Sequence, residues 1–484
     1  MKEQQVSRRK FFRLAGMATL GGATMAAAGG CSAGKSEESG TLISPVSFSR
    51  ETDVLIIGSG ASAMWASYEL LKAGIKPLIV EKEPVFGGDS MLTCTILPVM
   101  GTKPMRDAGM GEMTPDQVWE KFGKYFAKWR EPELAKSLIV NGAKVIDTWT
   151  EEFGVKWMPF EPGATAHFHV PAPGLCSDVE LFNPLYEHIT SNGTEVMFDT
   201  KATSFILDEN DEIVGVRTQN TFTLDYTDIK ANTVMVATGD WVSNQEMVVK
   251  YLPDWARMQC TTYTSMGQGM QMAMEVGAAT ERMDDPCNFT GDNANIVCWG
   301  FWDPVLQITP AGTRFINEQL GHEVAPTLAH LGYTHFYCIM DEAIRNGGRK
   351  HSMDNAEKLG LMEKADTIEE LAAKILVPAD VLAETLKNFN AAMEAGEDAE
   401  FGRTHNLRPL QAPFYSFLCH PVRYKTYGGL QVNANQEVLN SDGEPIPHLY
   451  AAGSVTGSMT PNLMDACASG INAGEKIAAV TNAE

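Results

Sequence analysis

The chain has 484 residues, of which 44% are hydrophobic and 20% are charged. This composition is typical of a globular protein with two or more lobes, and it excludes a disordered or fibrous chain. The formal net charge of -23 at pH 7 argues against binding to nucleic acid or anionic lipid and favours a basic or cationic partner.

The N-terminal residues predict an export signal. Arg8 and Arg9 form a twin-arginine pair that precedes two phenylalanines, and a weakly apolar run rich in Gly and Ala follows. This order resembles signals of the twin-arginine route, which would place the protein outside the cytoplasm. The run is short and interrupted by glycines, so it makes a poor membrane span. We assign residues 1–49 to the export signal and a tether, with Cys31 in AAAGGC as a candidate lipid anchor whose lipidation stays open.

The segment TDVLIIGSGASAMWASYELLKAGIKPLIVEKE predicts a dinucleotide-binding unit. Residues 54–57 form an apolar run suited to a buried parallel strand, residues 61–73 can form a helix packed on it, and residues 78–80 form the next strand. A strand, a glycine turn, a helix and a strand in this order are typical of a nucleotide-binding fold.

Small residues and one acid in this unit are placed to hold a nucleotide. Gly58 permits the tight turn, and Gly60 allows the backbone to approach a pyrophosphate. Ala63 takes the third small position, which close packing of helix on strand requires. The helix N-terminus faces the phosphates, and Glu81 is placed to accept hydrogen bonds from a ribose.

Later segments indicate FAD rather than NAD. Gly88, Asp89 and Ser90 follow the acid directly, where backbone donors and small side chains can reach the centre of a cofactor. Two more strands end in glycine, at Gly239 and near Gly453, which suits a long cofactor lying across one doubly wound sheet. Since no second G-x-G-x-x-G unit follows, we expect no NAD(P)H domain, and the electrons must come from another molecule.

The nine cysteines show no C-x-x-C pair, so neither a zinc site nor a c-type haem attachment site is predicted. Buried free thiols are the default interpretation. A four-cysteine iron-sulfur site assembled from distant segments stays open.

From Thr52 onward the chain resembles the flavoprotein family of fumarate reductase and succinate dehydrogenase, with the related urocanate reductases and ketosteroid dehydrogenases. The resemblance is carried by DVLIIGSGASA, VMVATGDW, SMGQGMQMAMEVGA, GTRFINE, APFYSF, TYGGLQVN and LYAAGSVTG. It implies an α/β fold in which a Rossmann-like FAD-binding domain, residues 50–286 and 425–484, is interrupted by an α+β capping domain, residues 287–424. The candidate FAD-binding residues are Gly58, Gly60, Ala61, Ser62, Ala63, Glu81, Gly88, Asp89, Ser90, Ala202, Thr238, Gly239, Gly267, Gly269, Gly428, Gly453, Ser454, Asn462 and Leu463.

The cap contains two recognisable local patterns. Thr367 and Glu370 form a capping-box start for a helix, and Leu371, Ile375 and Leu376 are expected to form its apolar stripe. The motif GTRFINE belongs to the family's scaffold, and we expect Arg314, Asn317 and Glu318 to fix that loop over the flavin.

The chain departs from the fumarate reductases where a dicarboxylate would be bound. His322 stands at the position of the family's proton-donating arginine, and its relay partner would fall near Phe301, where no acid-arginine pair stands. Lys425 replaces the substrate-binding histidine, and the late loop GSMTPNLMDACASG has no basic residue. Without these groups a dicarboxylate would be left underpaired. We therefore expect a neutral or singly charged enone, enoate or lactone.

We expect the family's reaction, hydride transfer from flavin N5 to an activated C=C bond, with a proton from His322, Tyr427 or Lys425. Phe301, Tyr333 and Tyr424 are candidate substrate contacts, although packing of the cap's own core is the alternative for the aromatic residues. The secreted flavoproteins of gut bacteria look most similar, among them the reductases of cardiac glycosides (digoxin). That resemblance also implies a [4Fe-4S] cluster and a membrane-anchored c-type cytochrome as electron donor.

The sequence thus predicts an exported FAD-dependent reductase of an activated C=C bond. Two alternatives stay open. One is a ketosteroid-like dehydrogenase working in the opposite direction, and the other is a flavin electron-transfer lipoprotein without a small substrate.

Overall fold

The computed structural model describes residues 45–93, 95, 97–110, 113–126, 132–159, 168–172, 174, 178–285, 290–291, 303–320, 323–347, 350–457 and 462–483. The predicted export signal, including Cys31, lies outside them. Val46–Glu484 form a single unit, separate from Met1–Pro45, and the features below lie in the larger unit.

The central sheet joins strands from both ends of the chain. Six of its eight strands are hydrogen-bonded in the order β18-β19-β8-β1-β2-β5. The other two strands are β6 and β7, and β7 pairs with both β6 and β8. The pairs along β19-β8-β1-β2-β5 are parallel, whereas β18, β6 and β7 pair antiparallel with their neighbours. The strands are β1 Phe48–Ile57, β2 Leu78–Val80, β5 Glu195–Met197, β6 Thr200–Leu207, β7 Ile213–Asn220, β8 Tyr226–Val236, β18 Glu437–Leu439 and β19 Pro445–Ala451.

The register of this sheet brings the carboxyl ends of its parallel strands to one edge. Ile57 at the end of β1 pairs with Val80 on β2 and with Val236 on β8, which in turn pairs with Ala451 on β19. The predicted strand at residues 54–57 is fully buried, as expected for a parallel strand covered on both faces. The segments after these strands therefore meet at one edge, where ligands bind in open α/β sheets.

Helices α1 and α13 pack closely on each other beside this edge. A Cβ added at Gly470 of α13 would lie 2.4 Å from the carbonyl oxygen of Ser62, and one at Gly474 would lie 2.7 Å from that of Ala66. These glycines let the two backbones touch, which holds the start of α1 in place. The helices of the FAD-binding part are α1 Ala61–Lys72, α2 Lys103–Asp107, α3 Pro115–Phe126, α4 Pro132–Glu151, α5 Asp178–Ser191, α6 Gln245–Tyr251, α7 Gln268–Glu275 and α13 Leu463–Thr481.

A second core is formed by residues between 305 and 419, inside the segment predicted as the cap. Its four-stranded antiparallel sheet has the order β12-β13-β15-β14. Mixed helices and antiparallel strands agree with the predicted α+β character, whereas the domain boundaries stay a prediction. The elements are β12 Leu306–Ile308, α8 Val324–Leu331, β13 Phe336–Asp341, α9 Glu342–Arg345, α10 Lys350–Lys358, β14 Met362–Ala365, α11 Ile368–Ile375, α12 Ala379–Ala395 and β15 Phe414–Cys419.

The start of α11 follows the predicted capping pattern, but its end does not. The Thr367 hydroxyl accepts a hydrogen bond from the amide of Glu370 at 3.1 Å, and Leu371 and Ile375 are buried. The prediction for Leu376 is wrong, because the helix ends at Ile375 and Leu376 takes a left-handed conformation with φ of 59°. Its side chain is 89% exposed.

Short strands connect the two parts. A three-stranded sheet has the order β11-β16-β9, and a two-stranded sheet pairs β10 with β17. No helix among the described residues is long and apolar enough to span a membrane. The remaining strands are β3 Leu97–Pro98, β4 Phe168–His169, β9 Gln259–Cys260, β10 Thr280–Glu281, β11 Thr290–Gly291, β16 Val422–Arg423 and β17 Gly429–Leu430.

Candidate functional site

A cleft opens at the carboxyl edge of the central sheet, where open α/β sheets bind their ligands. Most of the predicted FAD-binding residues line it, although they come from six separate segments of the chain. Those that line it are Gly58, Gly60, Ala61, Ser62, Glu81, Gly88, Asp89, Ser90, Ala202, Thr238, Gly239, Gly269, Gly453 and Ser454, together with Lys425.

The glycine turn has the geometry that a phosphate group requires. Gly58 has φ of +97°, and a Cβ there would lie 2.6 Å from the carbonyl oxygen of Ala237. Helix α1 begins after Gly60 without a capping side chain and without an acid in its first turn. The amide of Ala61 donates to the Ser90 hydroxyl at 3.0 Å. An uncapped helix N-terminus facing a cleft provides positive backbone dipoles for an anion such as a pyrophosphate.

Glu81 is buried at the end of β2, and its carboxylate is held by the chain itself. One oxygen accepts the Ser59 amide at 2.9 Å and the Ser59 hydroxyl at 2.6 Å, and the other accepts the Glu83 amide at 2.9 Å. Each carboxylate oxygen has two lone pairs, so a ribose hydroxyl can still be accepted. Glu81 thus orients the glycine turn and lines the cleft at the same time.

Two carboxylates and one ammonium group form a buried charge cluster at the cleft, made of Asp89, Lys425 and Asp240. The Lys425 ammonium lies 3.5 Å from an Asp89 oxygen, and the side chains are 14% and 11% exposed. Asp89 also accepts hydrogen bonds from the hydroxyls of Thr262, Thr264 and Ser265. Asp240 is 1% exposed.

Burial and the neighbouring charges shift the pKa values of all three groups in this cluster. Burial raises the pKa of Asp240 to about 6, with a further increase from Asp89 that is opposed by Lys425. For Asp89, burial would raise the pKa, but Lys425 and the three hydroxyl donors outweigh it and lower the pKa. For Lys425, burial would lower the pKa, but the two carboxylates outweigh it and raise the pKa. Lys425 therefore stays protonated at neutral pH.

The residues present fit FAD. The Thr238 hydroxyl is buried without a hydrogen-bond partner in the described structure, and Thr238 lines the cleft. A Cβ at Gly269 would lie 2.4 Å from that hydroxyl, so glycine keeps this wall open. A buried hydroxyl without a partner is unfavourable, and a ligand with polar edges would satisfy it.

Some predicted cofactor residues serve packing instead of lining the cleft. A Cβ at Gly267 would lie 2.7 Å from Cβ of Trp241, and one at Gly428 would lie 2.5 Å from Cα of Met283. Ala63 belongs to α1 and is fully buried. Asn462 caps α13 by accepting the Asp465 amide at 2.9 Å, and the buried Leu463 follows it.

The predicted catalytic and substrate residues are not all brought together. Lys425 lines the cleft, whereas Tyr427 is 9% exposed in the adjoining core, with the Arg282 guanidinium 4.5 Å from its ring centre. Tyr333 and Tyr424 are half-buried and lie outside the cleft lining. His322 and Phe301 lie outside the described residues.

The GTRFINE motif forms a buried ion network in the cap. Arg314 donates to both oxygens of Glu318, at 2.9 and 2.8 Å, and to both oxygens of Asp398, at 3.1 and 2.7 Å. Arg403 adds a contact to Glu318 at 3.1 Å, and Asn317 accepts the Gln319 amide. These contacts fix the loop, which is the role expected of the motif.

The sequence interpretation missed several cleft residues. Lys82 lines the cleft and donates to the Thr264 carbonyl at 2.6 Å, and Ser59 joins Glu81 to the Gly87 amide. Asp240 does not line the cleft but interacts with Lys425, which does; it was also missed, although an acid directly after the strand-ending glycine in VMVATGDW was a visible signal. Other lining residues that were not predicted are Glu83, Thr200, Lys201, Ser265, Gln268 and Met272.

The four described cysteines, Cys260, Cys338, Cys419 and Cys467, are free thiols, and all except Cys260 are buried. No group of three metal-binding side chains occurs among the described residues. The other five cysteines lie outside them, so the cluster stays a prediction.

Comparisons with known proteins agree with this site. The FAD binding domain family matches residues 53–470. The NADH:fumarate oxidoreductase of Klebsiella pneumoniae (strain 342) is 27% identical over 434 residues, which cover 87% of this chain and 46% of that protein. This chain thus spans less than half of that relative's length.

For two further relatives, the aligned region covers a larger share of the relative's own length. The vinyl phenol reductase of Lactiplantibacillus plantarum is 25% identical over 485 residues, covering 89% of this chain and 97% of that protein. The open conformation of a flavocytochrome c3 fumarate reductase superposes with a TM-score of 0.75 and 26% identity, covering 90% of this chain and 79% of that chain.

Proposed function

The chain belongs to the FAD binding domain family as a fumarate reductase-like, FAD-dependent oxidoreductase, and on this premise we propose that it is an exported reductase of an activated C=C bond. The proposed substrate is a neutral or singly charged enone, enoate or unsaturated lactone. The lactone of a cardiac glycoside belongs to this class.

The observation that carries the proposal is the position of Lys425. Of the two proton-donor candidates that the structure describes, Lys425 lines the cofactor cleft and Tyr427 packs in the core. A protonated lysine beside a C=C bond can stabilise the negative charge that develops on a conjugated carbonyl, and it can give a proton to the neighbouring carbon. Asp89 and Asp240 keep Lys425 charged and in place.

Bound FAD supplies the hydride in this chemistry. The chain's part is to hold the cofactor and to manage charge and protons. The glycine turn and the start of α1 would hold a pyrophosphate, Glu81 would hold a ribose, and the buried Thr238 hydroxyl would donate to a polar edge of the cofactor. The cap network around Arg314 and Glu318 fixes the loop that would cover the reacting bond and exclude water.

Two observations support a substrate with at most one negative charge: the chain lacks the family's dicarboxylate-binding residues, and one relative is named for a substrate without a carboxylate. A dicarboxylate needs two cationic partners, yet His322 and Phe301 stand where the family's relay has arginines, and the loop at 457–470 has no basic residue. The vinyl phenol reductase acts, by its name, on a compound without a carboxylate. A related protein of this size thus supports a substrate other than fumarate.

Electron supply and location complete the proposal. The flavocytochrome relative supports a c-type cytochrome as electron donor. The twin arginines at Arg8 and Arg9 support export, and Cys31 would anchor the chain at a membrane where such a donor resides.

Anaerobic reoxidation of the reduced flavin tests the proposal. The holoenzyme is reduced and then mixed separately with an enone steroid, an aryl enoate, a butenolide and a saturated analogue of each. Rapid flavin reoxidation by at least one unsaturated compound, with its saturated analogue inert, is the expected result. If no unsaturated compound reoxidises the flavin, the electron-transfer alternative is favoured and the proposal fails.

A further inference from the structure

Arg423 lies where the cap meets the FAD-binding part, on the short strand β16. Its neighbours in the three-stranded sheet are Thr290 of β11 and Cys260 of β9. Its carbonyl oxygen accepts both the amide and the hydroxyl of Thr261, at 3.1 and 3.2 Å. The backbone at Arg423 is therefore fixed, and Lys425 of the cofactor cleft follows two residues later.

The Arg423 side chain has no ion-pair partner among the residues that the structure describes. Arg423 is 6% exposed, and its Nε and Nη1 atoms are buried and donate no hydrogen bond in the described structure. The buried Arg217, by contrast, makes two hydrogen bonds to Asp228, at 2.7 and 2.8 Å. Among the arginines that the structure describes, Arg423 is distinguished by buried guanidinium atoms that lack an acceptor.

Such an arrangement is unfavourable in the free protein. Burial lowers the pKa of Arg423, yet a guanidinium remains protonated at any physiological pH. A buried charge requires a counter-charge or acceptors, and removing it from water without them is costly. A ligand that brings an anionic oxygen would supply both the charge and the acceptor.

A second unsatisfied donor lies in the same short segment. The Thr426 hydroxyl is buried and has no partner in the described structure, although the Thr426 amide donates to Asp240 at 3.3 Å. Residues 423–426 thus present a guanidinium, an ammonium and a hydroxyl within four positions. Only the ammonium, on Lys425, is paired by carboxylates in the free protein.

We infer that Arg423 binds the single carboxylate of an enoate substrate. The inference rests on the proposed function and narrows it, because that proposal leaves neutral and singly charged substrates open. One planar guanidinium fork matches one carboxylate by two parallel hydrogen bonds. Arg423 is not itself among the residues that line the cleft, but its Cα lies at most about 7 Å from that of Lys425, and the long side chains of both residues could contact one small conjugated acid.

Binding of an unreactive acid tests this site without turnover. Oxidised holoenzyme is titrated with 3-phenylpropanoate and with its neutral amide, and the flavin absorption spectrum is followed. The acid should bind about 10- to 100-fold more tightly than the amide, as expected for charge-assisted hydrogen bonds. Arg423→Met should abolish this preference, and Arg423→Lys should keep part of it. Equal binding of acid and amide, no acid binding, or an unchanged preference in Arg423→Met would overturn the inference.

Stability without ligand separates a binding role from a structural one. Because the unpaired guanidinium is unfavourable in the free protein, Arg423→Met should keep or raise the Tm of the holoenzyme. Arg217→Met is the matched control, since Arg217 is also buried and donates to both oxygens of Asp228, and its loss should lower the Tm. A fall for Arg423→Met as large as that for Arg217→Met would show a structural arginine and refute the inference.

The two proposals fail in different ways. If an enone reoxidises the flavin but the acid does not bind through Arg423, the proposed reductase activity is supported and the proposed carboxylate site is refuted. If the acid binds through Arg423 but no unsaturated compound reoxidises the flavin, the carboxylate site is supported and the reductase activity is refuted.

Discussion

Replacing the buried Asp240 by asparagine should flatten the pH dependence of folding stability. Asp240 accepts the amides of Val242 and Thr426, and burial raises its pKa from 3.8 to about 6. An acid with a raised pKa in the folded state binds its proton more tightly there than in the unfolded chain. Its contribution to stability is therefore full below pH 3.8 and is lost as the pH rises through about 6.

The size of this effect follows from the shift. A displacement of roughly two pKa units corresponds to about 3 kcal/mol between the acid and alkaline limits. Roughly half of it develops between pH 5 and pH 8, since the unfolded carboxyl is already ionised at pH 5. Asparagine has no such titration. The difference in unfolding free energy between Asp240→Asn and the natural protein should therefore shift in favour of the variant by about 1.5 kcal/mol from pH 5 to pH 8.

Urea unfolding with excess FAD at both pH values measures this difference. Asp178, whose pKa burial also raises to about 6, contributes equally to both proteins and cancels. Asp254→Asn, at an exposed position, controls for the loss of one charge. If Asp240→Asn keeps the pH dependence of the natural protein, Asp240 is not the buried acid that the structure indicates, and the description of the charge cluster fails.

Three further changes test other parts of the site. Lys425→Met should slow single-turnover flavin reoxidation, measured per bound FAD, by about 100-fold or more, whereas Tyr427→Phe should stay within a few-fold; equal effects would remove Lys425 from its role. Glu318→Gln should lower the unfolding free energy by about 3–5 kcal/mol in urea, because it leaves the buried Arg314 with fewer charged acceptors, and a change under 1 kcal/mol would contradict the cap network. Glu81→Ala should weaken FAD binding by about 10- to 100-fold, measured by flavin release on dialysis, and unchanged retention would exclude its ribose role.

Local sequence patterns were sufficient for the nucleotide-binding core. The predicted strand at residues 78–80 and the helix beginning at Ala61 agree with β2 and α1, because apolar periodicity and glycine turns act over a few residues. The strand predicted at residues 54–57 forms only the last four residues of β1, which already begins at Phe48, inside the segment predicted as a tether. The distant segments at Thr238 and Gly453 were also placed in the cleft correctly, since parallel strands must end at one edge of a sheet.

Features that depend on tertiary contacts could not be read in the same way. Leu376 continues the apolar pattern of α11 but follows the helix end, and its left-handed backbone turns the side chain into solvent. At Gly428, a predicted cofactor glycine, a Cβ would lie 2.5 Å from Cα of Met283, which is a tertiary contact that the sequence does not indicate. The missing partner of Arg423 is visible only when every neighbouring acceptor has a position, so no sequence pattern could indicate it.

A comparison of two acids as oxidants of the reduced flavin tests most directly the central claim that the site takes a monocarboxylate and not a dicarboxylate. Reduced holoenzyme is mixed anaerobically with cinnamate and, separately, with fumarate, and the rate of flavin reoxidation is measured for each. Among the residues that the structure describes, only Arg423 has buried guanidinium atoms without an acceptor, and the sequence lacks the family's dicarboxylate ligands. We therefore expect rapid reoxidation by cinnamate and at least 100-fold slower reoxidation by fumarate, because one carboxylate of fumarate would be buried without a partner. Equal or faster reoxidation by fumarate would contradict it.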